Sequence, residues 1–370
     1  MQKKLIALAV AGLASTAAFA QTNVTIYGIA DVGAVVFDGK TGHKGVQINS
    51  GVLSTSRLGF KGVEDLGNGL KALFTLEYGL ATDSNTGIGT GTAAGRQQFV
   101  GLTGGFGTLV GGRLQTAGLD FTVAGSALGA SSALGAINNV NLGSALGVGL
   151  INAAGRANNA VAYISPSFGG ATLAVNYARE PLGTETGAGN VSDATAMLVA
   201  LNYANGPISA GAVYGVYDNN DSLGLETAGI TATTLGYGLT PAQIAAAQAA
   251  VQLDKAKEWG VRGGYDLGVA KLQAAYQAQK IEDITGDSLK GNKWVVSATV
   301  PLGKAALIAE YAQSKYDNAT ANDNKNKAFT VAGTYSLSKR TTAYAGYVGV
   351  RPEDGTQDLN VFAAGLRHSF

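Results

Sequence analysis

Leu70-Lys71-Ala72-Leu73-Phe74-Thr75-Leu76-Glu77-Tyr78 decides how this chain is read. Leu70, Ala72, Phe74, Leu76 and Tyr78 fall on one face of an extended strand, and Lys71, Leu73, Thr75 and Glu77 on the other. One face is apolar and the other carries both charges. The pattern recurs far along the chain. Trp294, Val296, Ala298 and Val300 alternate with Lys293, Val295, Ser297 and Thr299. Phe362, Ala364, Leu366, His368 and Phe370 share a face, with Arg367 opposite. A period of two over the whole length means strands rather than helices.

Composition narrows the class. Glycine is abundant at 54 residues without a three-residue period, proline is scarce at 6, and cysteine is absent, which excludes collagen and a disulfide framework. Charged residues are only 14% and the formal net charge is +1, so no global basic field points to nucleic acid. Mean hydropathy is slightly positive. Yet no stretch after residue 20 supplies the roughly 20 apolar residues of a membrane helix. A chain apolar overall but never in long runs suits a transmembrane β-barrel, whose lipid-facing residues alternate with lumen-facing ones. The first residues fit that compartment. Met1-Gln2-Lys3-Lys4 is basic, Leu5 to Leu13 is apolar, and Ala18-Phe19-Ala20 matches a cleavage site. Residues 1–20 therefore read as a secretory signal peptide and 21–370 as the barrel domain.

Connections alternate short and long. Short ones, such as Glu64-Asp65-Leu66-Gly67-Asn68, Gly104-Gly105-Phe106-Gly107, Asn205-Gly206-Pro207 and Pro301-Leu302-Gly303, carry turn residues. Long ones fall near 37–50, 81–95, 115–155, 180–192, 219–255, 282–291, 317–326 and 351–358. The segments between them give an all-β fold of sixteen antiparallel strands, with short periplasmic turns and long extracellular loops. Residues 115–155 hold Asp120 as their only charge. So apolar a loop is expected to fold against the wall or into the lumen rather than stand in water. Thr240-Pro241-Ala242-Gln243 opens an alanine-rich stretch with the capping pattern of a short helix.

Several runs resemble the 16-stranded porins of β-proteobacteria. These are Gln21 to Asp31, the hairpin Ser54 to Ala72, Gly95 to Leu102, Gly112-Arg113, Arg156 to Tyr163, Ser165 to Gly170, Leu337 to Thr341 and terminal Gly365 to Phe370. The resemblance spans the mature chain. It implies an outer-membrane homotrimer, a third loop (115–155) forming the constriction in each barrel, and passive passage of ions and small hydrophilic solutes. It further implies contact with outer-membrane lipid and lipopolysaccharide, and Phe370 as the signal read by the barrel-assembly machinery. Many relatives carry acidic residues on the third loop opposite a basic wall. This loop is acid-poor, so a weaker transverse field is expected.

A selective pore needs a narrow section and fixed charges in water rather than a catalytic group. Arg57 is in phase with Lys61 and opposite Leu58 and Phe60, so both cations should face the lumen. Arg156 is in phase with Ala160 and opposite Val161 and Tyr163. Arg57 and Arg156 match positions where anion-preferring relatives carry constriction arginines. Arg96 is near such a position but in phase with Val100 and Leu102, and needs a bulge or the loop end to turn inward. Arg113 sits at the root of the long loop. Arg57, Arg96, Arg156, Lys61, Arg113 and Asp120 are thus the expected constriction residues, with mild anion preference as their consequence.

No cofactor and no metal site is expected. The chain has two histidines, His43 and His368, and no cysteine, a poor basis for a zinc cluster or a Ser-His-Asp hydrolase. Gly104-Gly105-Phe106-Gly107 lacks the helix and the GK[ST] ending of a phosphate loop. The rival readings are a substrate-specific channel, which saturable transport would reveal, and a barrel-borne enzyme, which needs a rim cluster of acid, base and nucleophile.

Overall fold

In a computed structural model the chain forms a closed antiparallel β-barrel. The structure describes residues 23–39, 44–84, 95–131, 133–139, 155–180, 194–218, 253–283, 288–317, 324–353 and 358–370. The leader at 1–20, the capping pattern that opens at Thr240 and His43 lie outside them. The first half runs β1 (Asn23–Gly39), β2 (Lys44–Ser50), β3 (Arg57–Gly67), β4 (Leu70–Gly79), β5 (Gly95–Gly104), β6 (Gly107–Gln115), β7 (Arg156–Ile164), β8 (Ala171–Arg179) and β9 (Thr195–Asn205). The second half runs β10 (Ile208–Asp218), β11 (Leu253–Asp266), β12 (Lys271–Asp283), β13 (Ser288–Leu302), β14 (Ala305–Asp317), β15 (Asn324–Ser336), β16 (Thr341–Pro352) and β17 (Leu359–Ser369).

Seventeen segments make sixteen staves, because β2 and β3 share one. β2 pairs the upper half of β1, from Val32↔Ser50 to Asp38↔Lys44, and β3 pairs the lower half, from Asn23↔Val63 to Ile29↔Arg57. Most of the long connection expected at 37–50 is therefore hairpin. The reason is that strands rise past the membrane wherever they can keep pairing and so satisfy their N–H and C=O groups. The barrel closes where β1 pairs β17, from Ile29↔Ser369 to Gly39↔Leu359. Gly28 and Phe370 complete the seam: each N–H donates to the other's carbonyl, at 3.0 and 3.1 Å. The β3–β4 turn is tighter than the 64–68 expected from composition. Asn68 and Gly69 both take positive φ (51° and 77°), the pairing that a two-residue hairpin of the right twist demands.

The alternation is realised as two surfaces. Outward residues such as Ile26 and Val100 are 60% and 65% exposed, while inward Val361 and Ala363 are 1% and 4% exposed. So broad an apolar exterior belongs in lipid. The inner face is less polar than a water-filled lumen leads one to expect. Val35, Phe37, Ile308, Ala312, Ala332, Val348 and Val350 point inward and are buried. They pack in one cluster with Leu128, Leu134 and Ile137 of the third loop. The apolar loop thus has an apolar berth, and its burial removes both surfaces from water.

The loop enters the barrel through α1 (Ala117–Gly125), capped by Thr116, whose hydroxyl accepts from the Leu119 N–H at 3.3 Å. It continues to α2 (Ala136–Asn139). Wall side chains hold it by its backbone. Asn176 Oδ1 accepts from Ala117 N at 2.9 Å. Ser297 Oγ accepts from Ala127 N at 3.1 Å. Glu310 Oε1 accepts from Leu128 N at 2.7 Å and Oε2 from Ala136 N at 2.9 Å. Thr330 donates to the Leu134 carbonyl at 2.7 Å. A loop whose charge is Asp120 alone is fastened through its backbone by the barrel's polar groups.

Candidate pore constriction

The break between β2 and β3 begins the site. Residues 51–56 form a strap gathered on Asp31, which is fully buried. Its carboxylate accepts from Leu53 N (3.0 Å), Ser54 N (2.6 Å) and Tyr344 Oη (2.6 Å). Asp31 N donates to Ser56 Oγ at 3.0 Å. The strap fixes the start of β3, hence Arg57, and its Val52 carbonyl accepts from Ser131 of the third loop at 2.7 Å.

Arg57 looks into the lumen toward Glu77, Nη1 to Oε1 4.0 Å. Arg96 Nε donates to the same Oε1 at 2.7 Å, and Tyr27 Oη to Oε2 at 3.0 Å. Tyr27, Gly59, Glu77 and Gln97 are successive cross-strand partners. Gly59 is required there, since a Cβ would lie 2.3 Å from the Tyr27 ring and push the phenol off Glu77. Arg96 turns inward through a bulge: Glu77 pairs Gln97, but Tyr78 pairs Gly95. A second irregularity, between Gly112 and Leu114 opposite Ala157–Ala160, carries Arg113. Arg113 Nε donates to the Gly95 carbonyl at 2.6 Å and Nη1 to Asn158 Oδ1. Asn159 takes a positive φ of 48° at that bulge. Arg156 starts β7, its buried Nε without a hydrogen-bond partner among the described residues. It interacts electrostatically with Arg57, Arg96, Arg113 and Glu77. Lys61 stands lower on the same lumen face, its Nζ 5.2 Å from the centre of the Tyr27 ring.

Asp120 comes from the loop, in the first turn of α1. It accepts from Gln115 and interacts with Arg156 and Arg262. Four guanidiniums therefore gather around two carboxylates in one cross-section. Arg262 donates to Asn202 Oδ1 at 2.7 Å and lines, with Lys271 and Gln273, a cavity of about 620 Å³ beneath α1.

Comparison with known proteins gives this architecture its family. The family model for Gram-negative porins matches residues 7–355. The chain belongs to the Gram-negative porin family. The porin is 35% identical over 296 residues to outer membrane porin protein 32 of Delftia acidovorans, covering 79% of this chain and 74% of that one. It is 29% identical to an outer membrane porin protein of Bordetella pertussis, over 75% and 69% of the two chains. In fold it is similar to the anion-selective porin from Comamonas acidovorans, with a TM-score of 0.72, 24% identity, and 95% and 100% coverage. OmpT of Vibrio cholerae, solved in a trimer form, gives a TM-score of 0.65 at 16% identity, over 94% and 99%. The porin is an integral outer-membrane β-barrel and a channel for diffusion.

Sequence reading named the porin's arginines but missed their organiser. Glu77 is 4% exposed and joins Arg57, Arg96 and Tyr27. The alternation placed Glu77 on the charged face, but a pairing across strands leaves no local signal. Arg367 interacts with both Asp31 and Arg57, and Arg262 with Asp120. Both have the right phase, and nothing in their neighbourhoods sets them apart from other lumen charges.

Asp120 gives the site a titratable carboxyl on the loop side. Desolvation by the surrounding walls raises its carboxyl pKa above the ordinary value, with the Gln115 hydrogen bond and the Arg156 and Arg262 charges pulling the other way. A raised carboxyl gains its proton at a higher pH than an ordinary aspartate, near about 3.9. As pH falls toward that range, one of the two carboxylates is lost and the arginines act with less opposition. Anion preference should therefore rise as pH falls, beginning above the range where an unperturbed aspartate would take up its proton. In Asp120→Asn that increment should be missing; an identical pH profile in the two proteins would remove Asp120 from the pore's electrostatics.

Proposed function

We propose that this porin is a general diffusion channel with mild anion preference, set by Arg57, Arg96, Arg113 and Arg156, with Lys61 below them. The observation that carries this reading is the excess of fixed guanidinium charge in one cross-section, opposed by Glu77 and Asp120. Arginine remains charged at every relevant pH and its charge cannot be titrated away. In a narrow aqueous section it raises the local anion concentration and lowers that of cations. Residues 115–155 serve as the constriction loop, and residues 1–20 as the leader for export.

The porin works as a homotrimer in our reading. The lipid-facing surface is uneven in a way that supports this. The ring pairs Trp259–Tyr276, Trp294–Tyr311, Phe329–Tyr347 and Tyr347–Phe362 all lie on β11–β17. The outer face of β1, β4 and β5 offers exposed Val24, Ile26, Leu76 and Val100, an apolar patch of the kind that subunit contact covers. Phe370, at the seam, acts as the assembly signal.

The test is a reversal potential across a planar bilayer with a salt gradient, joined to a size series of neutral sugars. Chloride should dominate modestly, and sugars should pass without saturation up to a size limit. A cation-sided potential, or saturable uptake of one sugar, would reject the reading. Deleting the loop between residues 115 and 155 should raise single-channel conductance, and an unchanged value in a correctly inserted barrel would free the loop of that role.

A further inference from the structure

Tyr344 on β16 sends its side chain across the closing seam of the barrel. It pairs Gly365 on β17, and Gly365 pairs Gly33 on β1, so the phenol lies over a row of glycines. A Cβ at Gly365 would stand 2.4 Å from Tyr344 Oη, and one at Gly33 2.7 Å from it. The missing side chains open a track along which the phenol reaches Asp31, donating to Oδ1 at 2.6 Å. Tyr27 crosses Gly59 to Glu77 in the same way. The two acids are used differently. Glu77 meets arginines, whereas the other oxygen of Asp31 holds the strap amides of Leu53 and Ser54, and Arg367 acts on Asp31 through its charge.

Two parts of the constriction are fastened to that strap. On the wall side, the Thr55 carbonyl accepts from Arg57 Nε at 3.0 Å, so the strap holds the guanidinium itself. Ser56 Oγ locks this end to β1, accepting from Asp31 N and donating to Asp31 O, each at 3.0 Å. On the loop side, Ser131 Oγ donates to the Val52 carbonyl at 2.7 Å and accepts from Leu134 N at 2.9 Å. Val52 is itself fully buried in the cluster that holds Leu134 and Ile137. A selectivity residue and the third loop thus share one anchor, and that anchor hangs on one buried carboxylate.

We infer that Asp31, oriented by Tyr344, couples the third loop to Arg57, so that ion preference and the steadiness of the pore change together. The inference rests on the reading of Arg57 as a selectivity residue and of residues 115–155 as the constriction loop. Tyr344 is a positioning residue, acting through Asp31 and the strap. Hydrogen bonds to a buried carboxylate are strong, and losing a donor there leaves acceptor capacity unmet. Without the phenol the carboxylate is free to turn, and the strap amides turn with it. The Thr55 carbonyl now keeps the Arg57 guanidinium 4.0 Å from Glu77. A loosened strap lets the guanidinium close on Glu77, whose charge then cancels more of its field. The loop loses a fixed edge at the same moment, through Ser131. The route is a contiguous set of hydrogen bonds, which a cycle of variants can read.

The experiment uses the full porin in planar bilayers, with reversal potential and open-channel noise recorded on the same insertions. Tyr344→Phe keeps the ring and every charge, and an unchanged β-sheet circular-dichroism spectrum certifies its folding. Its chloride-over-potassium permeability ratio at 0.1 M salt should fall about twofold, short of the roughly threefold that losing one whole guanidinium gives. Its open-channel noise should rise. Ser131→Ala cuts the loop from the strap, so it should raise the noise and leave the ratio at the wild-type value. In Ser131→Ala/Tyr344→Phe the ratio should fall as in Tyr344→Phe, with no noise beyond that of Ser131→Ala. A wild-type ratio in Tyr344→Phe, or additive noise in the double variant, overturns the coupling while the constriction reading stands. A wild-type pore without chloride preference would overturn that reading and the coupling with it.

Discussion

Arg57→Gln/Arg156→Gln should lose most of the chloride preference of the wild-type pore at low salt. A unit charge about 7 Å from the ion path contributes about 0.6 kcal/mol in water, and about half that at 0.1 M salt. Two such charges change anion occupancy about threefold and cation occupancy about threefold the other way, so the permeability ratio shifts about eightfold. At 1 M salt, where the screening length is about 3 Å, the difference should nearly vanish. That salt dependence separates a field effect from a change of pore shape. The fold should tolerate the change, since the Arg57–Glu77 approach is long at 4.0 Å and Glu77 keeps Arg96 and Tyr27. A reversal potential equal to wild type at 0.1 M would remove both residues from the selectivity filter.

The second large effect is expected at Glu310, which is 4% exposed and receives two separate stretches of the third loop on its two oxygens. Glu310→Ala leaves the Leu128 and Ala136 amides buried without partners, at a cost of about 1–3 kcal/mol each. The apolar berth around Leu134 and Ile137 remains, so the loop should stay inside but sample more positions. Single-channel records should show higher mean conductance, larger open-state noise and closure at lower voltage. Glu310→Gln keeps one acceptor oxygen and turns a donor toward the other amide, so it should fall between alanine and wild type. Quiet channels of wild-type conductance in both variants would show that packing alone holds the loop.

The two predictions draw on different kinds of information. Arg57 is readable from Ser54 to Glu64 alone, because alternation against Leu58 and Phe60 gives its face. Arg96 is not readable in that way. Its phase with Val100 and Leu102 points to lipid, and only the slip between Glu77↔Gln97 and Tyr78↔Gly95 brings it to Glu77. A bulge depends on how two strands count against each other, and one strand's sequence does not record its partner's count. Glu310 is hidden for a related reason. Its strand shows a lumen-facing acid, and nothing near residue 310 reveals that residues 128 and 136 will arrive there.

The amino-acid order by itself determined the barrel: a period of two, a long-short rhythm of connections and an apolar third loop, each a local consequence of lipid outside and water within. The tertiary structure alone decided what meets across the lumen. It split one stave into β2 and β3 around the Asp31 strap, lined part of the interior with aliphatic side chains for the loop, and set arginines around Glu77. Those outcomes follow from register and closure, which couple residues tens to hundreds of positions apart and therefore leave no trace in any single stretch of chain.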